Sequence, residues 1–195
     1  MLVSDVMDMA KVSSLANLPV SKNDNALIKF INLGVSELYR RFNLSIKVET
    51  VITNPNLALY ELRSPDVSLL FNVYNNKAQE LIQTDVLGGT YDYKIINYKS
   101  FMLRQPKDDL VFAVYKASSP RLEKATDEIE LPDSMMDALL TYVAYIGHST
   151  INKDNINESS AYSKRFEIAT QELENQGYRI PLNSESIDLK VRGYV

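Results

Sequence analysis

Residues 25–42, NALIKFINLGVSELYRRF, set the frame for the rest of the chain. Apolar residues fall at Leu27, Phe30, Ile31, Val35, Leu38, Tyr39 and Phe42, with Ala26 and Gly34 as small members of the same side. That i, i+3, i+4 spacing is one face of an amphipathic helix. Asn23 or Asp24 can accept from the free amides at its start, and Asn43 can end it. Arg40 and Arg41 fall in the last turn, where cations complement the helix dipole. Upstream, residues 4–12 read as a shorter helix capped by Ser4 or Asp5, followed by a loop through Leu18, Pro19 and Val20.

Downstream the period changes from helical to alternating. Ile46, Val48, Thr50 and Ile52 interleave with Ser45, Lys47, Glu49 and Val51, a strand pattern. Asn54-Pro55-Asn56 is a turn, so residues 57–62 read as the returning strand of a hairpin. Further strand-like runs cover residues 67–74, 79–84, 91–96 and 110–117, with Gly88-Gly89 as a turn. The block 45–119 is therefore expected to be one small antiparallel sheet. Helical spacing resumes after Leu131-Pro132. Met136, Leu139, Leu140, Val143 and Ile146 form a face, with Ala138, Ala144 and Gly147 as small residues. A polar loop, 152–157, precedes a last helix at 158–176 whose stripe is Tyr162, Phe166, Ala169 and Leu173, and Gly177 stands at the left-handed stop. From residue 178 onward the helical period is lost. Ile187, Leu189 and Val191 alternate with charged residues, which suits an extended arm able to add a strand to a neighbour's sheet edge.

The expected architecture is α+β. Two N-terminal and two C-terminal helices (1–44 and 120–177) form an antiparallel helical bundle, a small antiparallel β-sheet (45–119) is inserted between them, and an extended C-terminal arm (178–195) follows.

Composition narrows the function classes. The chain has 195 residues, 45% hydrophobic and 24% charged, within the globular range. No apolar run spans a bilayer, and the acidic N-terminus does not resemble a signal peptide, so a soluble protein made in the cytoplasm is expected. It contains no cysteine, in keeping with a reducing compartment. A net charge of −4 argues against a surface that grips nucleic acid.

Candidates for chemistry are few. The single histidine, His148, can carry a proton relay, but near a helix end it reads as a partner of the dipole. Asp108-Asp109 and the cluster Asp127, Glu128 and Glu130 are the densest acids, and both read as solvated loops without calcium-loop spacing. Gly88-Gly89 has no following lysine to make a phosphate loop. Tyr91, Tyr93 and Tyr98, interleaved with Lys94 and Lys99, suit a half-buried sheet better than a stacking platform. The expectation is a protein that is not an enzyme, needs no cofactor or metal, and works by contact.

The order of segments resembles the head-to-tail adaptor, or tail tubular, family of short-tailed bacteriophages. The resemblance covers most of the chain, roughly residues 3–177. It rests on VSDVMDMAKVSSL followed by the run Leu27, Phe30, Ile31, Asn32 and Gly34; on Tyr60-Glu61-Leu62; on Leu131-Pro132-Asp133 with Ala138-Leu139 and Tyr142-Val143; and on Tyr162, Phe166 and Ala169. The chain departs from many members at Leu62-Arg63-Ser64-Pro65-Asp66, where they carry Leu-Pro-x-Asp. The resemblance implies a virion protein that forms a ring, often of twelve copies, between portal and tail nozzle. DNA passes through its lumen without sequence-specific binding and no membrane is involved. It also implies that the C-terminal segment clasps the portal, which on this chain makes Tyr178, Ile180, Ile187, Leu189, Val191 and Tyr194 the expected partner-binding residues. Alternatives are another ring or stopper protein of the same neck, a glycan-binding module using Tyr91, Tyr93 and Tyr98, and a hydrolase using Asp108 or Asp127.

Overall fold

Four helices and two small sheets make up the computed structural model, which describes residues 1–83, 92–151 and 156–178. They fall into two units with separate cores. One comprises Met1–Leu44 and the described residues from Ser119 onward; the other is Ser45–Ser118.

The helical unit contains α1 (Val3–Val12), α2 (Asp24–Arg41), α3 (Met136–Ile151) and α4 (Ile156–Asn175). Asn23 caps α2 by accepting from the Ala26 amide at 3.1 Å, and α2 buries Leu27, Ile31, Val35 and Leu38. At Gly34 the helix meets α3 so closely that a β-carbon would lie 2.7 Å from Leu139 Cδ1. Helix α3 behaves differently from an amphipathic surface helix. Ala138, Leu139, Thr141, Val143, Ala144 and His148 are all buried, and these positions go round its circumference. A helix without a polar face has to be covered on all sides, and α3 packs against α1, α2 and α4. This corrects the expected bundle. The helices are not arranged as a two-plus-two set; α3 is a hub with three neighbours, because buried Ala138 and Ala144 flank the Leu139 and Val143 face on its two sides and carry the apolar surface round the helix.

The segment leading back into α3 is held by side chains of α2. Asn32 pairs with the Leu122 backbone in both directions, donating to its carbonyl at 2.8 Å and accepting from its amide at 2.9 Å. Tyr39 Oη donates to the Glu130 carbonyl at 2.9 Å. The N-terminus adds a short antiparallel bridge between Leu2 and Glu128, and a 3₁₀ turn over Asp133–Met135 leads into α3. Helix α4 ends in a Schellman motif. Gly177 has φ +87°, its amide donates to Glu174, and the Tyr178 amide reaches back to Leu173.

The second unit corrects the expectation of one sheet. It holds β1 (Ile46–Thr53), β2 (Leu59–Glu61), β3 (Val67–Tyr74), β4 (Tyr93–Asn97), β5 (Ser100–Leu103) and β6 (Asp109–Ala117). These form two three-stranded antiparallel sheets, ordered β1-β6-β3 and β2-β5-β4. The expected hairpin between residues 46–52 and 57–62 is absent. β1 pairs with β6 from Ile46↔Lys116 to Thr53↔Asp109, and β2 pairs with β5. The cause lies at Tyr60. Its ring stacks on Phe101 with centroids 5.6 Å apart, and its hydroxyl, with one hydrogen to give, lies against the turn carbonyls of Asn54 and Leu57 and accepts from the Asn54 amide. The chain is thereby turned off the first sheet and into the second. Residues 79–83 make only isolated bridges, while Gly88, Gly89 and Tyr91 lie outside the described residues, as do Asn152–Asn155 of the polar loop.

The two sheets share one core, in which Val111, Ala113 and Tyr115 of β6 meet Tyr60, Tyr93, Phe101 and Leu103. Entry and exit of the unit are adjacent, since the Ala117 amide donates to the Ser45 carbonyl at 2.8 Å. Among the described residues no helix is long and apolar enough to cross a membrane.

The close approach at Gly34 yields a graded expectation. In Gly34→Ala the methyl group displaces only the end of Leu139, and the gain in helix propensity of about 1 kcal/mol offsets that shift. In Gly34→Val the branched side chain separates α2 from α3, at about 1–3 kcal/mol. Urea unfolding of the two variants should therefore give a near-native midpoint for alanine and a clearly lowered one for valine; equal midpoints would contradict the packing described.

Candidate functional site

The candidate polar residues are largely engaged in holding the fold. His148, in the last turn of α3, is buried between three partners. Its Nε2 lies 2.9 Å from the Ser14 carbonyl, which can only accept, so that nitrogen carries the hydrogen. Its Nδ1 lies 2.9 Å from a Glu158 carboxylate oxygen, a contact not aligned as a hydrogen bond. Its ring stacks on Tyr162 at 5.0 Å. This histidine ties the loop after α1 and helix α4 to α3, where the sequence pointed to a contact with the dipole.

The acids behave similarly. Asp127 accepts from the Glu123 and Lys124 amides at 2.7 and 2.9 Å, and those bonds hold its carboxyl below the usual range. Glu128 faces the N-terminal amino group at 3.9 Å. Asp109 accepts from Asn76 and from the Leu110 amide, while Asp108 is exposed. Of the tyrosines, Tyr93 is fully buried and hydrogen-bonds Gln83 at 3.2 Å, whereas Tyr98 is exposed. Those two therefore do not share a stacking face.

Tyr178 belongs to the helical unit as its final cap, half-buried, with its hydroxyl 2.7 Å from Ser134 Oγ. The other expected partner-binding residues, Ile180, Ile187, Leu189, Val191 and Tyr194, lie outside the described residues.

Depressions lined by described residues include the following two. One, of about 810 Å³, runs between α2 and residues 119–123 and is lined by Asn25, Lys29, Leu33, Ser36 and Arg121. The other, of about 350 Å³, lies at one end of the sandwich, lined by Asn75, Gln79, Asp92, Lys107 and Asp109 among others. Much of the second lining serves its own loops. Asn75 Oδ1 accepts from the Lys77 and Gln79 amides, which steadies Ala78 at φ +58°, and Asp92 accepts from the Ile82 amide at 2.9 Å. Among the described residues no group of three or more acids and histidines is placed to hold a metal ion.

Two residues matter more than their sequence context indicated. Asn32 is a polar residue beside the apolar face of α2, held by the Ile28 carbonyl of its own helix and by the distant Leu122 backbone. Arg41, read as a dipole partner, also joins α2 to α4. Its Nε donates to Glu37 at 2.8 Å, its Nη1 donates to Glu167 at 2.8 Å and Thr170 at 3.1 Å, and its guanidinium lies 4.7 Å from the Phe166 ring centroid. Glu37 is held below its ordinary pKa by Arg40 and then Arg41, with burial opposing; Glu167 is lowered chiefly by Arg41. Neither the family models nor the curated proteins compared with the chain match it.

Two pH dependences follow. Glu37 and Glu167 have folded pKa values below their unfolded ones, so their contribution is present above the unfolded value near 4.5 and lost as pH falls through the folded values. Arg41→Met should cost on the order of 1–2 kcal/mol at pH 7 and show a shallower loss of stability below pH 4.5. A variant with wild-type stability at pH 7 would remove Arg41 from the set of helix-joining contacts. Burial pushes the Tyr93 phenol up to about 12 from 10.0. Its unfolded form therefore ionises first, and stability falls by roughly 2 kcal/mol as pH rises from about 10 to about 12. Tyr93→Phe should flatten that alkaline loss in denaturant titrations, and an unchanged slope would assign it to other groups.

Proposed function

We propose that the chain is a structural subunit of a phage head-to-tail adaptor, forming a ring between portal and tail nozzle through which DNA passes, and that it acts by contact and not by catalysis. One observation carries the reading. The helix signatures through which the sequence resembles that family meet in one place. Leu27 and Ile31 are core residues of α2, Asn32 clamps Leu122, Gly34 admits Leu139, and Tyr142 packs edge-on against Phe166 at 4.8 Å. Residues that looked separate in sequence thus serve one helical unit, which is what a family signature made of packing residues requires. The use of His148, Asp127 and Asp109 as structural ties supports the same reading. An acidic chain also suits a wall past which phosphates move without being held.

In this reading the virion is the site of action and the residues after Tyr178 reach the portal. Mass photometry and electron cryo-microscopy of the chain mixed with its portal should give ring-shaped complexes of a single stoichiometry. A stable monomer that ignores portal would sink the proposal. Removing residues 179–195, which spares the Tyr178 cap, should abolish docking while leaving the helical circular dichroism intact. Undiminished docking would place the portal contact elsewhere.

A further inference from the structure

The groove beside α2, within the helical unit, has two unlike walls. One is the row Asn25, Lys29, Leu33 and Ser36 of α2, all exposed; the other is the segment 119–123. The α2 wall offers an apolar residue to water, since Leu33 is 51% exposed. One turn away stands Lys29, which enters no ion pair among the described residues. The second wall is largely backbone. Pro120 has no amide to give and holds Ser119 toward extended geometry. The amides of Ser119 and Arg121 and the carbonyls of Ser119, Pro120 and Arg121 have no hydrogen-bond partner among the described residues. Leu122, next along, is by contrast paired with Asn32 through both its amide and its carbonyl. The walls are also fixed to each other, because Ser36 Oγ lies 3.0 Å from Ser119 Oγ. A groove held in shape beforehand spends less of a ligand's binding energy on ordering itself.

We propose that this groove takes an extended acidic segment of a partner protein. The segment pairs its backbone with residues 119–121, rests one apolar side chain on Leu33 and sets carboxylates beside Lys29 and Arg121. In such docking the main-chain hydrogen bonds supply affinity and the side-chain contacts supply selectivity. Charge chooses the sign of the partner. The lining carries two cations, Lys29 and Arg121, against one acid, Glu123, in a chain whose net charge is −4. Arg121 meets Glu123 only at 3.8 Å, with both side chains largely in water. A pair of that kind is worth little, so an incoming carboxylate competes for Arg121 readily. Length sets the size of the segment. From Asn25 to Ser36 the helix rises about 17 Å, the span of about five extended residues. Two cations are few for a nucleic-acid strand, whose binding grows with the number of phosphates neutralised. This inference does not rest on the adaptor reading.

The test is the amide spectrum of the isotope-labelled full chain as the synthetic peptide Ser-Asp-Glu-Leu-Asp-Ser is added to millimolar concentration. Amides of residues 119–123, Lys29 and Leu33 should shift while those of α3 stay in place. Lys29→Glu with Arg121→Glu, both at exposed positions, should weaken the peptide by about tenfold or more. Lys29→Arg with Arg121→Lys should keep its affinity, which separates loss of charge from loss of shape. Equal shifts with Ser-Lys-Lys-Leu-Lys-Ser would overturn the proposal by removing the preference for acid. The same amides moving with a single-stranded oligodeoxynucleotide would overturn it by making the groove a phosphate site. Shifts that follow protein concentration without any peptide would overturn it by giving the groove to a second copy. Silence of residues 119–123 at millimolar acidic peptide would overturn it outright.

Discussion

Between Ala138 and His148, helix α3 is buried or half-buried on every side, and the helical unit is arranged to meet that requirement. Its cover comes from both ends of the chain: α1 and α2 precede the sheets, α4 follows. No contiguous stretch of the sequence can bury α3 by itself, so the N-terminal helices and the C-terminal helices must come together for either to be stable. The two glycines at close approaches express the same demand. Gly34 lets α2 sit against Leu139, and Gly147 leaves room for Leu15, whose Cδ2 would lie 2.6 Å from a β-carbon there.

Polar groups then lock what packing brings together. Asn32 treats the Leu122 backbone as a strand partner would, satisfying a donor and an acceptor that would otherwise be buried or strained. His148 and Arg41 do equivalent work at the first turns of α4 and at its Phe166–Thr170 stretch. Such ties specify which helices meet at which height, a discrimination that apolar contact alone supplies weakly.

Local periodicity explains how much of this could be read beforehand. The repeat of Leu27, Ile31, Val35 and Leu38 points to a helix over 25–42, where α2 spans Asp24–Arg41, and alternation over 46–52 points to a strand, where β1 spans Ile46–Thr53. What periodicity does not carry is the identity of the partner. β1 looked paired with the next run across Asn54-Pro55-Asn56, but Tyr60 prefers Phe101, and β6 supplies eight matched positions to β1. Ser100–Leu103 was not anticipated as a strand at all, because SFML is too short to show alternation. The hub role of α3 was obscured because Ala138 and Ala144 read as spacers beside the Leu139 face, although both are buried, one on each flank of it. At the candidate site the residue types were visible, while their uses depended on partners far along the chain: Ser14 for His148, Leu122 for Asn32 and Glu167 for Arg41.

The hydrogen bond between Ala117 and Ser45 closes the sheet unit at its base. Seen from the helices, the seventy-odd residues between them behave as one pinned loop, whose ends arrive side by side whatever its interior does. The entropy of closing so long an excursion grows only with the logarithm of its length, and the sandwich meets it from its own core. The helical unit is thus insulated from the size of what it carries. Strands and turns between Ser45 and Ala117 can lengthen, shorten or be exchanged without parting the two ends that this bond holds together.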